Sequence, residues 1–257
     1  MGKTVAEKVA EKLNYAIVSR EVLLDASNQF SIPEIKLEKA IHDAPGILER
    51  YRHKKQSYIA YIRSALIEKV ASDNIIYHGL AGHLLLKGID HVLKVRVTAN
   101  MERRIAYVIQ RDGLSESEAR TLILEDDNQR RKWTHYLYGE DPWDSALYDL
   151  TVRIDRLSVE DAVSYICQVA KSEGFATTEE SRQKIQDLSI ACHVKADLVH
   201  DFPDAFVTCD YGNVLVYVKN KDQTAKLSKL LDRIRLGNNR IFNLEVHTGG
   251  QIPRDSV

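Results

Sequence analysis

Asn74–Arg104, NIIYHGLAGHLLLKGIDHVLKVRVTANMERR, is the stretch whose reading decides the fold. Ile75–Tyr77 and Val92–Thr98 each read as a short buried strand, separated by a segment carrying Gly79 and Gly82 and followed by a helix start at Ala99-Asn100. An apolar run that gives way to glycines, then a β-branched run ending in Thr-Ala-Asn, is the pattern of neighbouring parallel strands whose C-terminal ends hold a ligand.

Downstream, a helix over Met101–Arg111 is expected to stop at Asp112-Gly113, and Ser115 with Glu118 forms a capping box for the next one. That next helix ends in a dense ionic run, Glu125, Asp126, Asp127, Arg130, Arg131 and Lys132. The run is either a surface salt-bridge network or the cation-bearing part of a lid that closes over a migrating phosphoryl group. Tyr148–Ile154 reads as a further strand, and Ser158 with Asp161 caps the helix VEDAVSYICQVAKSEG.

Upstream, Met1-Gly2-Lys3-Thr4 runs straight into VAEKVAEKLNY, where Val5, Val9 and Leu13 keep helical spacing. A Gly-Lys-Thr before a helix is the tail of a phosphate-binding loop: amides and lysine hold phosphates while the hydroxyl reaches magnesium. The strand and glycine-rich turn of such a loop do not precede Gly2, so the natural first strand is expected to lie outside the residues given. Ala16–Val18 is a short strand leading to Ser19, Arg20 and Glu21, which are either acceptor-site groups or a capping serine with a solvated ion pair. Phe30–Ala71 reads as mostly helical, with Arg50, Arg52, Lys54, Lys55 and Arg63 forming a flap over an anionic nucleotide, a solvated face or, least favoured, a nucleic-acid contact.

The bulk numbers limit these choices. A chain of 257 residues holds one large core or two modest ones. Lys plus Arg at 36 against Asp plus Glu at 37 gives a net charge of -1, which argues against nucleic acid as a partner. A hydrophobic content of 44% with five prolines fits ordered globular structure. No apolar run reaches about 18 residues and no signal-peptide core opens the chain, so a soluble cytoplasmic protein without membrane contact is expected. Cys167, Cys192 and Cys209 have no CxxC or Cys/His spacing and read as packed free thiols.

Phe175–Arg182 marks a boundary, giving a first domain over 1–174, a linker over 175–182, a small α+β domain over 183–249 and a polar tail over 250–257. The small domain reads as helix Glu179–His200, strand Ala205–Asp210, turn Tyr211-Gly212-Asn213, strand Val214–Lys219, helix Asp222–Leu236 and strand Ile241–His247. His193, His200 and His247 stand alone in it and read as structural or surface residues. It looks like a binding, regulatory or dimerising unit, so a homo-oligomer through this domain is expected. Lys219, Lys221, Lys226 and Lys229 come with no aromatic membrane anchor visible in the sequence.

The segments GKTVAEKVAEKLNY, VLKVRVTANMERRIAYVIQRDGLSESEA, DDNQRRKW and YGEDPWDSALYDLTVRIDRLSVEDAV resemble the cytidylate-kinase-like family of P-loop nucleoside monophosphate kinases. The resemblance implies an α/β fold, a P-loop-kinase-like parallel sheet with flanking helices and a helical lid. It further implies ATP and Mg2+, with the γ-phosphate passed to CMP or dCMP as the nucleoside monophosphate partner. On the matching positions, Gly2 and Lys3 resemble the phosphate grip, Thr4 the magnesium-side hydroxyl, and Ser19 with Arg20 the acceptor site. Arg104 resembles the arginine of the helix after the Thr-Ala strand end. Asp127 with Arg130 resembles the lid pair, and Arg131 a second cation. The αββαβ unit is similar in topology to a BON-type module. Three departures stand out: Val18 replaces an acidic residue, Leu80 replaces the family arginine with His78 or His83 left as polar substitutes, and Ile123 replaces a lid arginine. A decayed, non-catalytic nucleotide-sensing or partner-binding domain is therefore the alternative to an enzyme.

Overall fold

The computed structural model describes residues 1–19, 21–31, 52–79, 81–219, 224–249, 252–253 and 256–257. Arg20, Arg50, Leu80 and Lys221 lie outside the described residues, as do the side chains of Arg52, Lys54, Lys55 and Lys226. In chain order the elements are Gly2–Leu13 (α1), Ala16–Val18 (β1), Glu21–Phe30 (α2), Arg52–Val70 (α3), Ile75–Tyr77 (β2), Gly82–Leu85 (α4), Val95–Thr98 (β3) and Met101–Asp112 (α5). They continue with Glu116–Tyr138 (α6), Leu150–Arg153 (β4), Val159–Ala170 (α7), Glu179–Leu198 (α8), Phe206–Asp210 (β5), Asn213–Val218 (β6), Thr224–Gly237 (α9) and Asn243–Thr248 (β7). Among these, no helix is long and apolar enough to cross a membrane.

The chain forms two compact units. The first draws its described residues from 1–19 and 74–176. Its strands are parallel, but they form two separate ladders, β1 with β2 and β3 with β4. Ile75–Tyr77 and the following strand are thus not hydrogen-bonded neighbours, as the sequence pattern suggests; Ile76 pairs with Ile17, and Val97 with Val152. The second of them also begins at Val95, because Val92 is still held in a turn by Ile89 O (3.2 Å). Val5 and Val9 of α1, Val152 of β4 with Ile154 just after it, and Ala162, Val163, Ile166 and Cys167 of α7 make one buried core, against which Ile76, Val95 and Val97 pack. Burying each such Val or Ile is worth about 1.5–3 kcal/mol, so this shared core sets where the strand ends lie.

Local signals act as written. Ser115 and Ser158 both close full capping boxes, with Glu118 and Asp161. Gly113 adopts φ 71°, the left-handed conformation that ends α5. The ionic run does not end its helix, however: α6 continues through it to Tyr138, because Trp133 and Thr134 are buried one turn further on. Ile123 is a core residue, packed with Ile105, Val108 and Ala119.

The second unit draws on 21–31, 52–73 and the described residues from 177 onward. It therefore contains α2 and α3, which the sequence reading assigns to the first domain. Ala60 and Tyr61 of α3 pack with Ala196 of α8 and with Val199, and Phe30 stacks on Tyr61 with ring centroids 4.3 Å apart. Its sheet has the order β5-β6-β7, antiparallel then parallel, with Val207, Val214 and Val216 fully buried beneath α8 and α9. Lys195 runs through this unit as a strut: its half-buried ammonium donates to Pro203 O (2.9 Å) and to Ala205 O, and burial pulls its pKa down to about 8.

One buried carboxylate joins helix to hairpin. Asp187 of α8, only 5% exposed, accepts from the Tyr211 and Gly212 amides (2.9 Å each), Gln183 Nε2 (3.1 Å) and the Cys209 thiol (3.3 Å). Burial, reinforced by that carboxylate, pushes the Cys209 thiol up to about 12. The three cysteines are free, as their spacing indicates. Replacing Asp187 with Ala orphans two backbone donors at the turn and should cost about 3 kcal/mol of stability. Chemical denaturation checks this; an unchanged midpoint would mean that the hairpin does not depend on the carboxylate.

Candidate functional site

The glycines that open the fold-deciding stretch have a packing reason. A side chain at Gly82 would stand 2.6 Å from Tyr77 Cδ1, and one at Gly79 would overlap the same ring. The loop is shaped to let Tyr77 fold back into the interior, where burial raises its pKa to about 12. His78, next along, extends the β1–β2 ladder through its amide to Val18 O (2.9 Å). Its imidazole reaches the first turn of α1, with Nε2 3.7 Å from where a Gly2 Cβ would be. Burial first, then the charges of Lys3 and of the Met1 amino group, lower the His78 pKa, with a smaller contribution from Arg130, so a neutral ring faces that helix start.

Gly2, Lys3 and Thr4 are the first turn of α1, and its N-cap, Met1, gives no side-chain hydrogen bond. Their amides are therefore the orphan donors of a helix N-terminus, pointing along the positive end of its dipole. Lys3 is 71% exposed and paired loosely with Glu7 at 3.8 Å. Ser19 follows the end of β1.

At the other ladder, Asp155 ties two strand ends together. The Asn100 amide donates to its Oδ1 (2.7 Å), Arg103 Nη1 to its backbone carbonyl (2.8 Å), and Arg153 to its Oδ2. The Asn100 contact, followed by Arg153, holds the Asp155 carboxyl below the usual carboxylate range. Asn100 in turn caps α5 through the Arg103 amide (2.8 Å). On that helix Arg104 makes a bidentate pair with Asp127 of α6, at 2.6 and 2.7 Å. Asp127 is therefore bound by Arg104, and Arg130 instead pairs with Asp126 at 3.1 Å, four residues back on its own helix.

Beyond Arg130 lies a group of side chains that residue types alone do not single out. Arg131 pairs with Asp141 and sits 5.6 Å from the centre of the Trp143 ring. Arg96 of β3 lies 5.7 Å from both Trp143 and Tyr148 and donates to Trp143 O (3.0 Å). Tyr148 faces His83 at 4.7 Å between centroids and donates to Pro142 O (2.9 Å). The charge of Arg130 is among those felt by both His78 and Tyr148. The only sequence clue was the density of aromatic residues in YGEDPWDSALYD.

No group of three or more His, Cys, Asp or Glu suited to a metal ion occurs among the described residues. Magnesium bound through substrate phosphates and water needs no such group. Free amides, a lysine and a hydroxyl at one helix start fit that mode of binding.

These features define an α/β domain of parallel strands with a helix N-terminus at Gly2–Thr4 and arginines on α5 and α6. Residues 1–156 match the model of the cytidylate kinase-like family, and the chain belongs to that family. Cytidylate kinase of Desulfurococcus amylolyticus is 39% identical over 98 residues, covering 37% of this chain and 51% of that protein. Cytidylate kinase of Methanopyrus kandleri is 32% identical over 107 residues, covering 38% and 55%. That of Pyrobaculum arsenaticum is 27% identical over 163 residues, covering 62% and 81%. The chain thus spans about half the length of the first two relatives. A crystal structure of an uncharacterized protein from Eubacterium ventriosum shares the fold, with a TM-score of 0.50 at 17% identity over 66% of this chain and 92% of that one.

His83 gives this cluster a pH signature. Burial first, then Lys94 and Arg96, push its pKa down from 6.5 to about 4. The unfolded chain then takes up a proton before the folded one, so the contribution is complete above pH 6.5 and is lost as pH falls from 6.5 towards 4. Thermal melts across that range should show a shallower acid loss for His83→Gln than for the unaltered chain. Parallel curves would place His83 outside the acid response.

Proposed function

We propose that this chain transfers the ATP γ-phosphate to CMP, dCMP or a related nucleoside monophosphate. The observation that carries the reading is the uncapped first turn of α1, with Lys3, facing His78 and the field of Arg130. Lys3 and the amides of Gly2 to Thr4 hold the phosphates of the donor, and the Thr4 hydroxyl stands on the magnesium side. Thr4 and the donor's phosphates would hold magnesium, which would supply charge neutralisation there. Arg130 and Arg131 supply positive charge where it develops on the transferring group. Arg104, whose guanidinium still has hydrogens free of Asp127, binds the nucleotide from α5. Ser19 and Arg20 belong to the acceptor side, Arg20 lying outside the described residues. The αββαβ part of the second unit acts as a BON-like binding or regulatory module.

The loose Lys3–Glu7 pair favours this reading, because an exposed pair of this kind is worth well under about 1 kcal/mol and frees the lysine for a ligand. ADP release coupled to an indicator reaction, with Mg-ATP and CMP, dCMP, UMP or AMP in turn, tests it. Turnover with a cytidine nucleotide is expected, and Lys3→Ala should lower kcat/KM by about 100-fold or more. Absence of turnover with every acceptor would overturn the enzyme reading; full activity of Lys3→Ala would remove that lysine from it.

A further inference from the structure

The sheet of the second unit has two edges, treated differently. The outer side of β5 is occupied by the chain's own terminal residue: Val257 N–H donates to Val207 O (2.9 Å) and Val207 N–H to Val257 O (3.1 Å). On the outer side of β7, no strand pairs among the described residues. An uncovered edge strand is a template for a further strand. We infer that a second copy of this chain pairs with it, β7 against β7 in antiparallel fashion about a twofold axis at Val246.

The register follows from the backbone. Gly249 N–H donates to Val218 O (3.4 Å) and Asn243 N–H to Gly212 O (3.5 Å), so the odd-numbered residues of β7 turn their amides and carbonyls towards β6. Those of Leu244, Val246 and Thr248 therefore point outwards. An antiparallel partner must exchange hydrogen bonds with these three residues, which restricts the twofold axis to a few positions. An axis at Glu245 would set two Glu245 carboxylates face to face. An axis at His247 would oppose two imidazoles and leave Glu245 across from Gly249.

With the axis at Val246, its backbone bonds to its own copy, Leu244 lies across from Thr248, and Glu245 lies across from His247 twice. These opposed side chains fall at the closely spaced, non-hydrogen-bonded positions, where complementary pairs contribute most. Glu245 and His247 are exposed, 56% and 47%, and 3.7 Å apart on one face. On the other face Leu244 and Val246 are only partly buried against the core, and a continued sheet would finish covering them. The outward carbonyl of Phe242 is already taken by Arg235 Nη2 (3.2 Å), which ends the pairing segment. The Phe242 side chain, 71% exposed, stands beside it as apolar surface for the second copy to cover.

Sedimentation velocity of the full chain over a range of micromolar concentrations tests the inference. A dimer of two 29.3 kDa chains is expected. Glu245→Lys and His247→Glu should each shift it to monomer, and the two combined should restore it, since Lys then faces Glu across the axis. Circular dichroism confirms that each variant folds, and amide exchange at Val246 and Thr248 should slow as the concentration of the unaltered chain rises. A monomer at every concentration, single variants that remain dimeric, or a double variant that stays monomeric would each overturn the proposal.

Discussion

The bidentate bond between Arg104 and Asp127 is the interaction on which the first unit's layout depends. It joins α5, which leaves the end of β3, to α6, which carries Arg130 and Arg131. A half-buried, doubly hydrogen-bonded ion pair of this kind contributes more than the solvated Arg130–Asp126 pair nearby. The connection is continuous from the sheet outwards. Asp155 anchors Asn100, Asn100 caps α5, Arg104 holds Asp127, and the following turn of α6 carries Arg130, paired with Asp126.

The second unit uses the same device in a static role. Asp187 gathers four donors in a closed interior and leaves nothing for a ligand to compete with. The difference lies in solvent access: the pair in the first unit is 29% and 23% exposed, against 5% for Asp187. Buried and fully satisfied carboxylates fix a fold, whereas half-open ones can exchange partners.

Short-range features were legible in the amino-acid sequence because a few neighbouring residues decide them. Ser115 with Glu118, Ser158 with Asp161, and Gly113 closing α5 are all contacts within about one helical turn. The presence of Ile75–Tyr77, Val95–Thr98 and Leu150–Arg153 as strands could likewise be read from their β-branched and apolar residues. Their partners could not, because Ile17 meets Ile76 across 59 positions by a pairing that periodicity does not encode. Arg104 and Asp127 are 23 residues apart, and Arg130 is the nearer cation in sequence, so proximity along the chain suggests the wrong partner. Gly79 and Gly82 invite a ligand-loop reading, while their actual neighbour is Tyr77, a residue whose ring turns back on its own strand end. The Arg96, Trp143, Tyr148 and His83 group was hidden for the same reason: its members come from three separated segments and meet only through the β3–β4 ladder.

Recognition of phosphate groups by Lys3, the first turn of α1, Arg130 and Arg131 is measured most directly by a phosphate-number series. Calorimetric affinities for adenosine, AMP, ADP and ATP, each with magnesium, should rise about tenfold for each phosphate that reaches these cations, and the gain should shrink as salt is added. Equal affinity for adenosine and ATP, or a gain that salt leaves untouched, would contradict the account.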